Sequence, residues 1–127
     1  MLDKSTKSLA RTGENLAAKY LLNKGYTLKC KNFRSKTGEI DLIMQDNQHL
    51  VFIEVKTRRY HSIDAALENI NYTKRKRISQ TAVQYINQNP KYGKLQTRFD
   101  IVVLIYDEYT NTFSIKHLPD AFHPVFE

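Results

Sequence analysis

The spacing of apolar residues predicts that the chain opens with an amphipathic helix running from Ser5 or Ser8 to Lys24. Its apolar stripe recurs at helical spacing and consists of Leu9, Leu16, Ala17, Tyr20 and Leu21. Gly25 is expected to end the helix, because glycine adopts the left-handed conformation without steric cost. Gly13 lies on the same stripe, where the absence of a side chain allows another backbone to approach closely.

Strand patterns follow this helix. Residues 26–33 alternate apolar and polar side chains, which is typical of a strand with one buried face. Residues 35–38 predict a turn, and residues 39–44 and 49–57 predict a hairpin closed near Asp46 and Asn47. The chain therefore passes from one helix into three consecutive strands.

The second half of the chain returns to a helix and then to strands. A helical region is expected to begin near Ile63, and its clearest part is residues 73–89, ended by Pro90 and Gly93. Residues 99–106 predict an apolar strand and residues 113–118 an edge strand. The order α-β-β-β-α-β, with one further strand, indicates an α/β fold in which helices flank a mixed sheet.

The size and composition of the chain narrow the class of protein. Its 127 residues fit a single domain over residues 1–127. The longest apolar run, residues 101–106, is too short to cross a membrane, and the N-terminus lacks the apolar stretch of a signal peptide. The single cysteine, Cys30, fits a cytoplasmic protein. The net charge of +7 favours an acidic partner such as nucleic acid, although charge alone is a weak signal.

Three charged residues stand within the apolar strands of the predicted hairpin: Asp41, Glu54 and Lys56. Charges are seldom buried unless they are paired or bind a metal. Glu54 and Lys56 lie two residues apart and so share a face of their strand. A two-residue loop at Asp46 and Asn47 places Asp41 opposite Phe52 and diagonal to Glu54, about 7–8 Å away, on that face. A three-residue loop would instead put Asp41 on the other face.

This arrangement suits the metal-dependent hydrolysis of a phosphodiester. Mg²⁺ or Mn²⁺ takes oxygen ligands and keeps several waters, so Asp41 and Glu54 suffice to hold the ion, and the carbonyl of Val55 is a candidate further ligand. Lys56 is expected either to orient the attacking water or to stabilise the transition state. The alternative is that Glu54 and Lys56 form an ordinary ion pair on an exposed sheet face.

The motifs Gly38-Glu39-Ile40-Asp41-Leu42-Ile43 and Phe52-Ile53-Glu54-Val55-Lys56-Thr57-Arg58, with Gly13-Glu14 and Asn32-Phe33-Arg34 before them, resemble the YraN-like family of predicted bacterial endonucleases. That family is similar to Holliday-junction resolvases and to the PD-(D/E)xK superfamily. The resemblance implies a restriction-endonuclease-like fold and a nuclease-type metal site. It also implies that a helical glutamate completes the site, and Glu14 matches that position. The chain departs from the family in lacking Phe-Gly after the hairpin, at residues 61–66.

For several other polar residues, the sequence allows two alternative roles. Glu39 is expected either to support the site or to be a turn residue, and Asp100 to support either the sheet or the site from behind. Basic residues near the motifs are candidates for contacts with nucleic acid, or they form a solvated surface: Arg34, Lys36, Arg58, Arg59, Lys74, Arg75, Lys76 and Arg77.

Two functions follow from the sequence. The first is a Mg²⁺- or Mn²⁺-dependent endonuclease acting on DNA rather than RNA, with branched DNA as a candidate substrate. A homodimer is then expected for a four-way junction, which has two-fold symmetry. The alternative is a nucleic-acid-binding or assembly module that keeps a nuclease fold without cleaving. Binding of Mn²⁺ would distinguish the two.

Overall fold

The structure of the protein is a computed structural model that describes residues 5–59 and 70–126. Its elements are α1 (Thr6–Asn23), β1 (Thr27–Ser35), β2 (Gly38–Asp46), β3 (His49–Arg59), α2 (Tyr72–Gln88), β4 (Gln96–Asp107) and β5 (Thr112–Leu118). A single 3₁₀ turn, Pro90–Tyr92, follows α2. The α-β-β-β-α-β order and the final edge strand are as predicted. The helical start expected near Ile63 lies outside the described residues.

The strands form one sheet in the order β1-β2-β3-β4-β5. Neighbouring strands are antiparallel except β3 and β4, which are parallel and are separated in sequence by α2. Parallel neighbours need a crossover connection, and a helix commonly supplies it. The mixed α/β sheet predicted from the sequence is therefore confirmed.

Side-chain caps define where both helices begin. The Ser5 hydroxyl accepts a hydrogen bond from Ser8 N (3.2 Å), and Asn71 Oδ1 accepts one from Lys74 N (2.9 Å). Such caps satisfy backbone N–H groups that have no partner in the first turn of a helix. After α1, Gly25 takes a φ of 97°, so its predicted role in ending the helix is confirmed.

The two faces of the sheet carry separate apolar cores. The face under α1 buries Ala17, Leu21, Leu42, Met44, Val51, Ile53, Val102 and Leu104. The face under α2 buries Ile43, Leu50, Phe52, Ala82, Tyr85, Phe99, Ile101 and Val103. Burial of apolar area on both faces is the main favourable contribution to folding, and it explains the long apolar runs of β3 and β4.

The hairpin turn lies one residue later than predicted. Asp46 pairs with His49, so the two-residue loop is Asn47 and Gln48, with Asn47 at a φ of 53°. Asparagine tolerates this left-handed conformation better than most residues. The prediction that Asp46 lies in the turn is therefore wrong, because its carboxylate instead accepts a hydrogen bond from Arg98 Nη1 (3.2 Å). The loop still has two residues.

A buried polar network ties the strands together beside α1. Asp100 is fully buried, and its carboxylate accepts hydrogen bonds from Arg98 Nε (2.9 Å) and from Asp120 N (2.9 Å). His117 Nε2 lies 2.8 Å from the same carboxylate. Burial alone would raise the pKa of Asp100, but the hydrogen bonds from His117 and Arg98 outweigh it and lower this pKa. Asp100 was expected to support either the sheet or the candidate site, and these contacts show that it supports the sheet.

Within the described ranges, no helix combines the length and the apolar character needed to cross a membrane.

Gly13 brings α1 into close contact with β3, as its position on the apolar stripe predicted, but the group that approaches it is the side chain of Thr57 and not a backbone. A Cβ atom at Gly13 would overlap the hydroxyl of Thr57. We expect Gly13→Ala to lower the free energy of unfolding by about 1–2 kcal/mol, because steric overlap outweighs the better helix propensity of alanine. Urea unfolding measures this loss.

The control for this prediction is the double variant Gly13→Ala with Thr57→Ala, which removes the overlapping hydroxyl. It should recover part of the lost stability. A Gly13→Ala protein as stable as the wild type would contradict the close packing of α1 on β3.

Candidate active site

The candidate site lies where β2 separates from β3. Pairing between β2 and β3 ends at Leu42 and Ile53. Pairing between β1 and β2 includes the neighbours of Asp41, Ile40 and Leu42, but not Asp41 itself. Asp41 Oδ2 accepts a hydrogen bond from the backbone N–H of Val55 at 2.8 Å. A side chain thus replaces a backbone partner at this point, and the two strands open around the carboxylate. The expected position of Asp41 opposite Phe52 is wrong, since Phe52 pairs with Ile43.

Asn32 joins the middle of α1 to the start of β2. Its φ is 54°, a left-handed conformation within β1 at the position opposite Asp41. With its amide nitrogen turned toward the carboxylates, Asn32 donates to Glu14 Oε1 (2.9 Å) and to Glu39 Oε1 (3.1 Å). Glu39 also lies 3.6 Å from Arg34 Nε. Glu14 and Glu39 therefore lie together at the edge of the site.

The carboxylates of this region repel one another. Burial raises the pKa of Asp41 to about 7, and only the Val55 N–H acts against that increase. The charges of Glu14, Glu54 and Glu39 raise it further. Burial also raises the pKa of Glu14. The arrangement concentrates negative charge at a point where a bound cation would relieve the repulsion.

Glu54 faces two lysines. Its Oε1 lies 2.6 Å from Lys74 Nζ and 3.8 Å from Lys56 Nζ. Its Oε2 is buried and has no hydrogen-bond partner among the described residues. A buried carboxylate oxygen without a partner is costly in a folded protein, so it marks a position where a ligand would be stabilising.

Lys56 is the more buried of the two lysines beside Glu54, with 2% of its side chain exposed against 39% for Lys74. Desolvation lowers the pKa of Lys56 to about 8, although Glu54 opposes the change. Lys56 therefore does not form the exposed ion pair that was the simple alternative. It is held beside Glu54 in the interior.

The carboxylates open into a pocket of about 150 Å³. We call it the carboxylate pocket, and it is lined by Glu39, Ile40, Asp41, Phe52, Ile53, Glu54, Lys74, Ile78 and Phe122. Phe122 belongs to the C-terminal segment and stacks on Phe99. A second opening, the adjacent groove, is lined by Gly38, Glu39, Asn71, Thr73, Lys74, Arg77 and Ile78.

The donor set fits an oxygen-liganded divalent cation rather than a closed metal cage. Among residues 5–59 and 70–126, no three acidic, histidine or cysteine side chains converge closely enough to enclose an ion. Mg²⁺ is usually held by one or two carboxylates, with water or substrate phosphate at the other positions. Asp41 and the partnerless oxygen of Glu54 match this need, and Glu14 lies near enough to influence Asp41 electrostatically.

The basic residues singled out in the sequence do not lie together. Lys74 and Arg77 border the adjacent groove, whereas Arg58 and Arg59 line a separate pocket beside the start of α1. The others are Arg34 and Lys36, both exposed near the β1–β2 turn, and Arg75 and Lys76, both half-buried on α2. The structure thus brings three of the eight candidates to the site, with Lys74 and Arg77 at the adjacent groove and Arg34 beside Glu39.

Sequence reasoning missed three contributions to this region. The one signal for Asn32 is its residue type, since asparagine adopts a left-handed φ more readily than most residues. Lys74 was expected to contact phosphate, and its contact with Glu54 joins segments that are distant in sequence. Phe122 carried no signal, because a lone aromatic residue in an irregular segment predicts no position.

A family model described as "Uncharacterised protein family UPF0102" matches residues 13–104. The chain belongs to the UPF0102 family. This confirms the expected YraN-like family, and its link to nucleases stays a prediction. The matched segment includes Glu14, Asp41, Glu54, Lys56 and Lys74, and it ends before Phe122.

Relatives in clostridia match nearly the whole chain. A UPF0102 protein of Clostridium botulinum (strain 657 / Type Ba4) is 40% identical over 116 residues, which cover 91% of this chain and 94% of the relative. A UPF0102 protein of Clostridium novyi (strain NT) is 37% identical over 116 residues, with 91% and 96% coverage. Similarity at this level indicates that the same fold extends across these UPF0102 proteins.

The contact of Asp41 with Val55 predicts how two substitutions change stability without metal. A folded-state pKa raised above 3.8 means that the charged carboxylate destabilises the fold at higher pH. Asp41→Asn keeps an oxygen acceptor for Val55 N–H and removes this charge, so at pH 8 it should stabilise the protein by about 1–3 kcal/mol. Denaturant unfolding in a chelator measures the change.

Asp41→Ala is the matched comparison. It removes the charge and also the acceptor, so it should be about 1–3 kcal/mol less stable than Asp41→Asn. An alanine variant more stable than the asparagine variant would show that the Val55 hydrogen bond contributes nothing.

Proposed function

We propose that this UPF0102 protein is a divalent-cation-dependent endonuclease that hydrolyses phosphodiester bonds of DNA. The observation that carries the proposal is the meeting of Asp41, Glu54 and Lys56 where β2 and β3 separate. There, Asp41 and Glu54 line one pocket, and the buried Lys56 lies against Glu54. Two carboxylates and a buried amine form a set suited to holding a cation against a phosphate.

Each residue has a role that follows from its surroundings. Asp41 and Glu54 would hold Mg²⁺ or Mn²⁺, with the Val55 carbonyl and Glu14 as further candidate ligands. The bound cation would supply Lewis acidity and lower the pKa of a water molecule. Lys56 keeps a proton on Nζ beside Glu54 and donates it in a hydrogen bond either to the attacking water or to the phosphate oxygens. That donation stabilises the charge that develops as the phosphorus–oxygen ester bond breaks.

The charge distribution supports nucleic acid as the substrate. The chain carries a net charge of +7, and Lys74 and Arg77 border the groove beside the carboxylate pocket. Phosphate contacts of this kind give affinity that depends on salt and not on sequence. We propose DNA rather than RNA, with junction DNA as the candidate form and a homodimer as the matching assembly. The single cysteine favours a cytoplasmic setting.

The second candidate is a nucleic-acid-binding or assembly module that does not cleave. The observation that favours it is the 2.6 Å contact of Lys74 with Glu54 Oε1, because this contact satisfies one oxygen of a proposed metal ligand without metal. The two candidates differ in their need for a divalent cation.

Cleavage of labelled nucleic acids tests the proposal. The panel is a four-way junction, a flap, duplex DNA, single-stranded DNA and RNA, each incubated with Mg²⁺ or Mn²⁺. We expect cleavage of at least one DNA, and a loss of about 100-fold or more in Asp41→Asn and in Lys56→Met, since each removes a group that stabilises the transition state. These variants keep the approximate shape of the original side chains.

The panel separates the two candidates. Binding of one DNA without cleavage in either metal would support the non-cleaving module. Cleavage that survives both Asp41→Asn and Lys56→Met would assign the chemistry to a contaminant or to another site.

The position of Arg77 at the adjacent groove predicts how DNA binding depends on salt concentration. In the Asp41→Asn protein, Arg77→Ala should weaken DNA binding similarly for different sequences and reduce the slope of log K against log salt by about 1. Fluorescence anisotropy at several salt concentrations measures the slope. Lys19→Ala, which removes an exposed charge from α1, is the control and should leave the slope nearly unchanged. Equal effects of the two variants would contradict a specific phosphate contact at Arg77.

A further inference from the structure

The two lysines that contact Glu54 differ in how firmly they are held. Lys56 lies within β3 with 2% of its side chain exposed, whereas Lys74 comes from α2 and is 39% exposed. Lys74 nevertheless makes the closer contact, 2.6 Å against 3.8 Å. The closer partner of Glu54 is therefore the one that has access to solvent.

The position of Lys74 in α2 makes its charge depend on a partner outside the helix. Its backbone N–H is capped by Asn71, which puts Lys74 in the first turn of α2. That turn contains no acidic residue, and basic residues follow at positions 75–77. The N-terminus of a helix carries partial positive charge and disfavours cations. The charge of Lys74 is thus stabilised by an anion outside its own helix, and Glu54 is that anion in the structure.

Lys74 also borders two openings at once. It lines the carboxylate pocket with Asp41 and Glu54, and it lines the adjacent groove with Arg77. A partly exposed lysine at this boundary contacts Glu54 on one side and borders a groove that would receive a phosphate on the other. The same ammonium group serves either anion, but it cannot neutralise both fully.

We infer that Lys74 is a resident counter-ion of Glu54, which competes with a divalent cation for this carboxylate and is released toward the phosphate of a bound nucleic acid. The inference rests on the proposed function, because it takes Glu54 as a metal ligand. Lys74 is a positioning residue in this scheme. It neutralises Glu54 when no substrate is bound, and it couples binding of the cation to binding of phosphate.

The coupling has a direct thermodynamic consequence. A cation must displace the Lys74 ammonium from Glu54 Oε1, so the wild-type protein binds the cation less tightly than a protein without this amine. Coupling between two ligands is reciprocal, so a phosphate that draws Lys74 away also strengthens cation binding. A lysine with a merely structural role predicts no gain of metal affinity when it is removed.

The test measures Mn²⁺ alone, without nucleic acid, on full-length protein that a chelator has freed of metal. Calorimetric titration gives the affinity, and the rise in melting temperature at a fixed Mn²⁺ concentration gives a second reading. The variants are Lys74→Met, which keeps the length of the chain without its charge, and Lys74→Gln, which serves if the methionine variant unfolds. Lys74→Arg retains the charge.

Lys76→Met is the matched control. It removes the same charge from the same turn of α2, but residues two apart on a helix point in different directions. We expect Lys74→Met to bind Mn²⁺ roughly tenfold more tightly than the wild type, within the usual range of coupling between sites. Lys74→Arg should resemble the wild type, and Lys76→Met should change little.

The outcomes distinguish this inference from the proposed function. If the wild type binds Mn²⁺ and Lys74→Met binds it no more tightly, the metal site stands and the competition is refuted. Equal gains in Lys74→Met and Lys76→Met would also refute it, because they would reflect general charge. If no form binds Mn²⁺ in either reading, the proposed metal site fails and the inference fails with it.

Discussion

The hydrogen bond from Val55 N–H to the Asp41 carboxylate is the interaction on which the candidate site depends. In an ordinary antiparallel pair, backbone groups would satisfy each other and the strands would stay closed. Here a side chain takes the place of the backbone partner, so β2 and β3 remain hydrogen-bonded while they open. The opening holds one carboxylate in the interior, and it gives the pocket between β2 and α2 its acidic wall.

The electrostatics of the site follow from this geometry. Asp41 lies in the influence of Glu14, Glu39 and Glu54, and burial removes the water that would otherwise screen them. Lys56 and Lys74 compensate the charge of Glu54, and Arg34 lies beside Glu39, but the pKa of Asp41 is still raised. The result is a region that is costly for folding, and a bound cation would reduce that cost. Such a conflict between local stability and the rest of the fold is common where a protein binds a ligand.

The opposite end of the hairpin shows how the sheet tolerates this cost. Arg98 on β4 joins Asp46 at the end of β2 and Tyr26 ahead of β1, and it pairs with the buried Asp100. Unlike the carboxylates of the site, Asp100 has partners from several directions, which lower its pKa. One end of the sheet is thus closed by satisfied charges. The other end is left open, with charges that a ligand would satisfy.

The sequence by itself determined the order of the helices and strands and the candidate residues of the site. Periodicity depends on local geometry, so it located α1 and the strands, and it marked Asp41, Glu54 and Lys56 as charges in apolar surroundings. It also anticipated the close approach at Gly13. Only the tertiary structure decided the turn at Asn47 and Gln48, the partner of Glu54 on α2 and the role of Asp100. Each of these depends on which distant side chain competes for a polar group, as Arg98 does for Asp46. Spacing along a chain carries no information about such a competition, because its outcome is set by packing between elements.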